Sequence, residues 1–196
     1  MAISRIQALV FLLCIGVTTA FDDSTLLRTS TKRKQRRDSD AKKNVYGRNL
    51  QPCSTDGMAL TGFTRSGRCV EEQDDKGSHH ICIDLSSASH PGKNFCEVTG
   101  QSNWCDDKMP CSDGSDEICP VKNWCVCQWA FAKYIDEAGG CEAIQEINCG
   151  ATNMEAYKAY QKSSVMEGSE QEQIANALKC LEQRCKLDID VDYAVA

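Results

Sequence analysis

The chain has 196 residues, fourteen of them cysteine, and a formal net charge of −6. Residues 21–43 carry eight basic side chains against four acidic ones, so the rest is more acidic than the total indicates. An acidic body argues against nucleic acid as a partner, because phosphate contacts need Lys and Arg, and the length favours one domain.

Residues 1–20 have the layout of a secretory signal peptide: Arg5, an apolar run from Ala8 to Val17, then Thr18, Thr19 and Ala20 as small residues for cleavage. That run is too short to cross a bilayer as a stable helix, and no later stretch offers an integral membrane span. Behind such a signal the cysteines read as a disulfide framework formed in an oxidising compartment. Cys14 leaves with the signal, so thirteen of the fourteen remain. An odd number implies a free thiol or an intermolecular disulfide.

Residues 21–43 are too poor in apolar side chains to offset the entropy of ordering, and read as a basic disordered linker. Lys32-Arg33 and Lys34-Gln35-Arg36-Arg37 suggest instead a pro-segment. Phe21 followed by a Ser/Thr/Arg/Lys-rich run resembles the bipartite presequence of complex plastids, from which Asp22 and Asp23 depart. The expected location is therefore secreted or the secretory-pathway lumen, with a complex plastid as the alternative.

A folded cysteine-rich domain is expected over residues 44–190. Pro52, Gly57, Gly62 and Gly67 punctuate its opening into turns. His80 to Leu85 alternates polar and apolar residues, which predicts a strand. Residues 86–122 read as a disulfide-pinned loop insertion without a packed helix. From Trp124 a 3.6-residue stripe through Val126, Trp129, Ala130, Tyr134, Ile135 and Ala138 predicts a helix that stops at Gly139-Gly140. Thr152 with Glu155, and Ser169 with Glu172, predict capping boxes for two more helices. Leu187 to Tyr193 alternates as a strand with one acidic face. The fold class is α+β: one small disulfide-rich domain with a short sheet and two or three helices.

Several short blocks match a known family in order. These are Asn44-Val45-Tyr46-Gly47, Leu50 to Asp56, Thr61 to Gly67, Cys69, Asp75-Lys76-Gly77-Ser78-His79-His80-Ile81-Cys82, Trp124-Cys125-Val126-Cys127 and Ala151-Thr152. Over about residues 44–160 the chain resembles the domain of unknown function 2237 family, whose name lends no activity. Asn153 stands where the family has His, and Ala130-Phe131 where Arg-Trp is common. The gap from Cys53 to Thr61 is one residue longer than is typical. The resemblance implies that Cys53, Cys69, Cys82, Cys125 and Cys127 are family positions and that the other eight mature cysteines pair among themselves.

Cys125 and Cys127 lie too close for a relaxed mutual bridge. They serve separate bridges, bind one soft metal, or supply a thiolate at a helix N-terminus. With Cys53 and His79 they are the catalytic candidates, His79 acting as base for a cysteine nucleophile. Cys125, Cys127 and His79 are also candidate Zn²⁺ ligands, although no paired C-x-x-C units are present. His80 and His90 read as hydrogen-bonded structural residues, and Ser54, Thr55, Asp56 and Arg65 as turn formers or pocket contacts. Cys105-Asp106 and Cys111 to Cys119 resemble the calcium end of a low-density-lipoprotein-receptor class A module. Its Ca²⁺ ligands would be Asp106, Asp116 and Glu117, but Pro110 replaces a fourth acid. The leading functional reading is a disulfide-stabilised binding or structural protein. A thiol- or metal-dependent enzyme is the alternative, and a calcium-binding adhesion module the weaker one; no cofactor is required by the first.

Overall fold

The structure is a computed structural model that describes residues 42–90, 92–102, 104–164 and 170–187. Its centre is a three-stranded antiparallel sheet in the order β4-β1-β5, formed by β1 (Ile81–Asp84), β4 (Asn123–Val126) and β5 (Glu146–Ile147). β1 pairs Ile81 with Val126, Cys82 with Cys125 and Ile83 with Trp124. Cys82 and Cys125 turn their amides away from each other, to Thr152 Oγ1 at 3.1 Å and Thr61 Oγ1 at 2.8 Å. They therefore form a non-hydrogen-bonded pair, the kind in which cross-strand side chains approach most closely.

The expected strand at His80 to Leu85 is β1, and residues 44–69 are the expected turns. The helix expected from Trp124 begins later. Residues 123–126 are strand β4, and α2 spans Gln128–Ala138. Its buried face is Gln128, Phe131, Ala132, Tyr134 and Ile135, so the stripe through Trp129 is displaced and Trp129 is 40% exposed. Sheet pairing with β1 overrides the helical period of the first residues. Gly139 and Gly140 end α2 with positive φ, and the Gly140 amide reaches the Ile135 carbonyl at 2.8 Å.

Inside the loop insertion lies a five-residue helix, α1 (Phe95–Thr99), which the reading of residues 86–122 as loop missed. Asn94 and Glu97 form a capping box there, and Phe95 packs edge-on to Tyr134. A hairpin of β2 (Lys108–Pro110) and β3 (Ile118–Pro120) completes the insertion.

Helix α3 (Met154–Ser163) is capped by Asn153, whose side chain accepts from the Glu155 amide at 3.0 Å; Thr152, the expected cap, holds β1 instead. Helix α4 (Gln171–Cys185) has Glu170 at its N-cap with no side-chain capping bond, and Ser169 lies outside the described residues. The strand expected from Leu187 to Tyr193 also falls outside them, apart from Leu187. Four helices are thus described where two or three were expected. α4 packs on α2 and α3 over a core of Ile81, Ile83, Phe131, Ile135, Tyr160 and Leu181. No described helix is long and apolar enough to cross a membrane.

Six disulfides staple this frame: Cys53–Cys82, Cys69–Cys125, Cys96–Cys105, Cys111–Cys119, Cys141–Cys180 and Cys149–Cys185. Each joins two of the five family cysteines or two of the other eight, as the resemblance implied. The first two fasten loops to the sheet. The next two close turns inside the insertion, and the last two tie α4 to the segment after α2. Two consequences are testable. Non-reducing peptide mapping should recover these six pairs. In urea unfolding, the Cys141→Ser/Cys180→Ser variant, opening a separation of 39 residues, should lose about 4 kcal/mol. Cys111→Ser/Cys119→Ser, separated by 8, should lose about 2.5 kcal/mol.

Candidate functional site

Three segments meet where β4 ends. Cys127 is the N-cap residue of α2, half-buried, and the free cysteine among those described. Its neighbour Gln128 donates its amide to the Ser78 carbonyl at 3.0 Å, which locks the start of α2 against the loop before β1. That loop carries His79.

A buried carboxylate holds the loop's shape. Asp75, with 1% of its side chain exposed, accepts from the amides of Gly77 at 3.1 Å and His79 at 2.8 Å, and contacts His79 Nδ1 at 2.7 Å. An ionised Asp75 makes Nδ1 the protonated nitrogen, so Nε2 is the one able to accept a proton. Gly77 leaves room for the ring: a Cβ there would sit 2.5 Å from His79 Cε1 and push the imidazole aside. Phe63 stacks on the imidazole at 6.2 Å between centroids.

Opposite, Arg65 places its guanidinium 5.0 Å from the centre of the Trp124 ring, a cation–π distance. Arg65 and Ser78 both have positive φ, 54° and 50°, a conformation uncommon outside glycine. Trp104 packs on Trp124 with centroids 5.6 Å apart. Between these groups lies a cavity of about 260 Å³ lined by Arg65, His79, Phe95, Trp104, Trp124, Cys125 and Cys127. Its lining combines aromatic side chains with a guanidinium, an imidazole and a thiol.

Of the four catalytic candidates, His79 and Cys127 share this cleft. Cys53 and Cys125 are bridged to Cys82 and Cys69, so neither offers a thiol in the oxidised protein, and Cys125 reaches the cleft only as wall. This also removes Cys125 from the Zn²⁺ set expected with Cys127 and His79, since a metal needs thiolate. Asp106, Asp116 and Glu117 are exposed and do not converge into a group of ligands. Asp113 in the same acidic loop accepts from the Ser115 amide at 2.9 Å, and its hydrogen bonds to Ser115 hold its carboxyl below the usual range. Among the described residues, one group of three or more metal-ligating side chains comes together: Cys53, Cys69 and Cys125, all buried.

The polar candidates divide in the same way. Ser54 is buried and accepts from the Thr61 amide, Asp56 is exposed, and only Arg65 reaches the cleft. His80 is structural, with Nδ1 on Gln128 Oε1 at 2.8 Å and Nε2 on Glu71 at 2.5 Å. His90 is exposed and its amide holds the Ala143 carbonyl. Asp75 was not singled out from the sequence, although the Asp-x-Gly-x-His spacing of a tight loop contained the signal.

A family model described as an uncharacterized protein conserved in bacteria, domain of unknown function 2237, matches residues 43–167. The chain belongs to this family. A search of curated proteins finds no match. The family region holds Arg65, Asp75, His79 and Cys127, and it ends before α4.

Tyr160 packs against the start of α2. It is fully buried, donates its hydroxyl to the Gln128 carbonyl and meets Trp129 edge-on. Burial pushes its phenol well above the ordinary value, and charge on Cys127 pushes it the same way. In the unfolded chain a tyrosine ionises near pH ~10, while Tyr160 in the folded protein stays protonated. Stability should therefore fall as pH rises above ~10, where the unfolded state has lost a proton that the native state keeps. Urea midpoints measured across that range should show the decline, and Tyr160→Phe should make it shallower.

Proposed function

We propose that this chain is a binding protein whose ligand, a small organic anion with an apolar or aromatic body, occupies the cleft beside Cys127. The carrying observation is the Arg65 guanidinium held over the Trp124 ring in the lining of a largely aromatic cavity. A carboxylate or phosphate would accept charge-assisted hydrogen bonds from Arg65. Its apolar part would lie against Trp104, Trp124 and Phe95. In this reading the six bridges supply rigidity, and they fit an oxidising compartment. We include in the proposal that residues 1–20 direct the chain into the secretory pathway, for secretion or luminal residence, with a complex plastid as the alternative destination.

A specific observation favours a second reading, thiol chemistry at the same cleft. Cys127 stays outside every bridge while His79 is oriented by a buried carboxylate. Here Cys127 Sγ attacks an electrophilic carbonyl, its proton passes to His79 Nε2, and Asp75 keeps the ring and its tautomer in place. His79 then returns that proton to the leaving group.

Titration of the cleft tryptophans with aromatic carboxylates should give saturable fluorescence changes, weakened about tenfold by Arg65→Ala for the loss of one charge-assisted contact. A flat response across the panel, or equal affinity in the variant, would sink the binding reading. For thiol chemistry, iodoacetamide should label Cys127 in the non-reduced protein, and His79→Gln should slow the labelling several-fold. Gly77→Ala should act in the same direction, by displacing the imidazole. An unchanged rate in His79→Gln would leave Cys127 without a base.

A further inference from the structure

Sharing Cys125 with the wall of the cleft, four family cysteines form a second cluster. Cys53, Cys69, Cys82 and Cys125 are together 0–2% exposed, and Ala151 completes the pocket around them. The sulfurs of Cys53, Cys69 and Cys125 lie within 4.8 Å of one another, and Cys82 is bonded to Cys53. A tetrahedral Zn²⁺ with sulfurs at about 2.3 Å needs its ligands about 3.8 Å apart, so small side-chain rotations would close the set.

The backbone under each sulfur is held by a hydrogen bond that does not depend on the disulfides. Cys53 donates its amide to the Gly67 carbonyl at 2.8 Å, and the Cys69 carbonyl accepts from Asn153 Nδ2 at 2.8 Å. Cys82 donates to Thr152 Oγ1, and Cys125 to Thr61 Oγ1. Cys82 and Cys125 are also register partners in the β1–β4 ladder. Breaking the two sulfur–sulfur bonds therefore leaves four thiols on one scaffold, three of them within 4.8 Å of one another and the fourth, Cys82, beside Cys53.

We infer that this cluster is a redox-exchangeable metal site: two disulfides when oxidised, and a four-thiolate site for one Zn²⁺ when reduced. A dithiol reductant gives two electrons and two protons to each disulfide and closes to its own cyclic disulfide. Four cysteine thiols result, and Zn²⁺ displaces their four protons to solvent as it binds. The site shares Cys125 with the zinc set read from the sequence but excludes Cys127 and His79. It is independent of the cleft's ligand.

The test uses the full chain, refolded anaerobically with a phosphine reductant and Co²⁺ or Zn²⁺. Co²⁺ should bind once per chain with the intense visible absorption of a tetrahedral tetrathiolate. That spectrum should persist in Cys127→Ser and in Cys111→Ser/Cys119→Ser, and be lost in Cys82→Ser. In the Zn²⁺-loaded wild type, alkylation with mass spectrometry should find Cys53, Cys69, Cys82 and Cys125 protected while the other cysteines react. Absence of the Co²⁺ spectrum in the wild type, its survival in Cys82→Ser, or protection of a different set would overturn the inference. Because the protection pattern is read in the wild type, failure of the Cys82→Ser variant to fold does not affect it.

Discussion

The β1–β4 ladder, with Cys82 opposite Cys125, is the constraint on which the rest of the molecule depends. A short strand pair is a weak structure alone, and here each strand carries a sulfur that captures a distant loop. Cys53 brings in the turn before Gly67, and Cys69 the segment leading to Asp75. These loops have little regular structure of their own, so the sheet gives them their geometry. The cleft is assembled from what they carry: Arg65 beyond one bridge, and His79 between the other and β1.

Buried side-chain oxygen and nitrogen atoms do the remaining work. Thr61 and Thr152 satisfy outward amides of β4 and β1, and Asn44 gathers Tyr46 and Arg48 amides about one oxygen at 3.1 Å each. Gln145 spans the Phe95 amide and the Leu85 carbonyl, joining the insertion to the sheet. Leaving such groups unpaired in the interior would cost on the order of 1–3 kcal/mol each. Their pairing lets a domain with so much loop bury its backbone.

Local patterns were legible in the sequence where one neighbour decides them. The strand β1, the glycine stop of α2 and the turn chemistry of residues 44–69 all appear as read, although β1 is buried on both faces and its polar–apolar alternation does not separate a core face from a solvent face. The start of α2 was misread because Trp124 and Val126 fit a helical stripe and a strand equally well, and only pairing with Ile83 and Ile81 chooses. The cap of α3 moved by one residue because Thr152 is taken by β1, a contact 70 residues away. The site was half visible. Cys127 and His79 stood out by residue type, whereas Asp75 acts through a fold of the chain that composition does not reveal. Cys53 and Cys125 could be removed from the active set only once their partners were known.

The departures from the family pattern now have different weight. Asn153 replaces a histidine, yet its side chain caps α3 and donates to the Cys69 carbonyl, and it does not line the cleft. Phe131, in place of Trp, is fully buried in the core, and Ala130 is half-buried against it. All three substitutions therefore fall on packing and on the scaffold beneath the sulfur cluster. Arg65, Asp75, His79 and Cys127 lie in the segments where the chain follows the family. The candidate site rests on the cleft, which Ala130, Phe131 and Asn153 do not line.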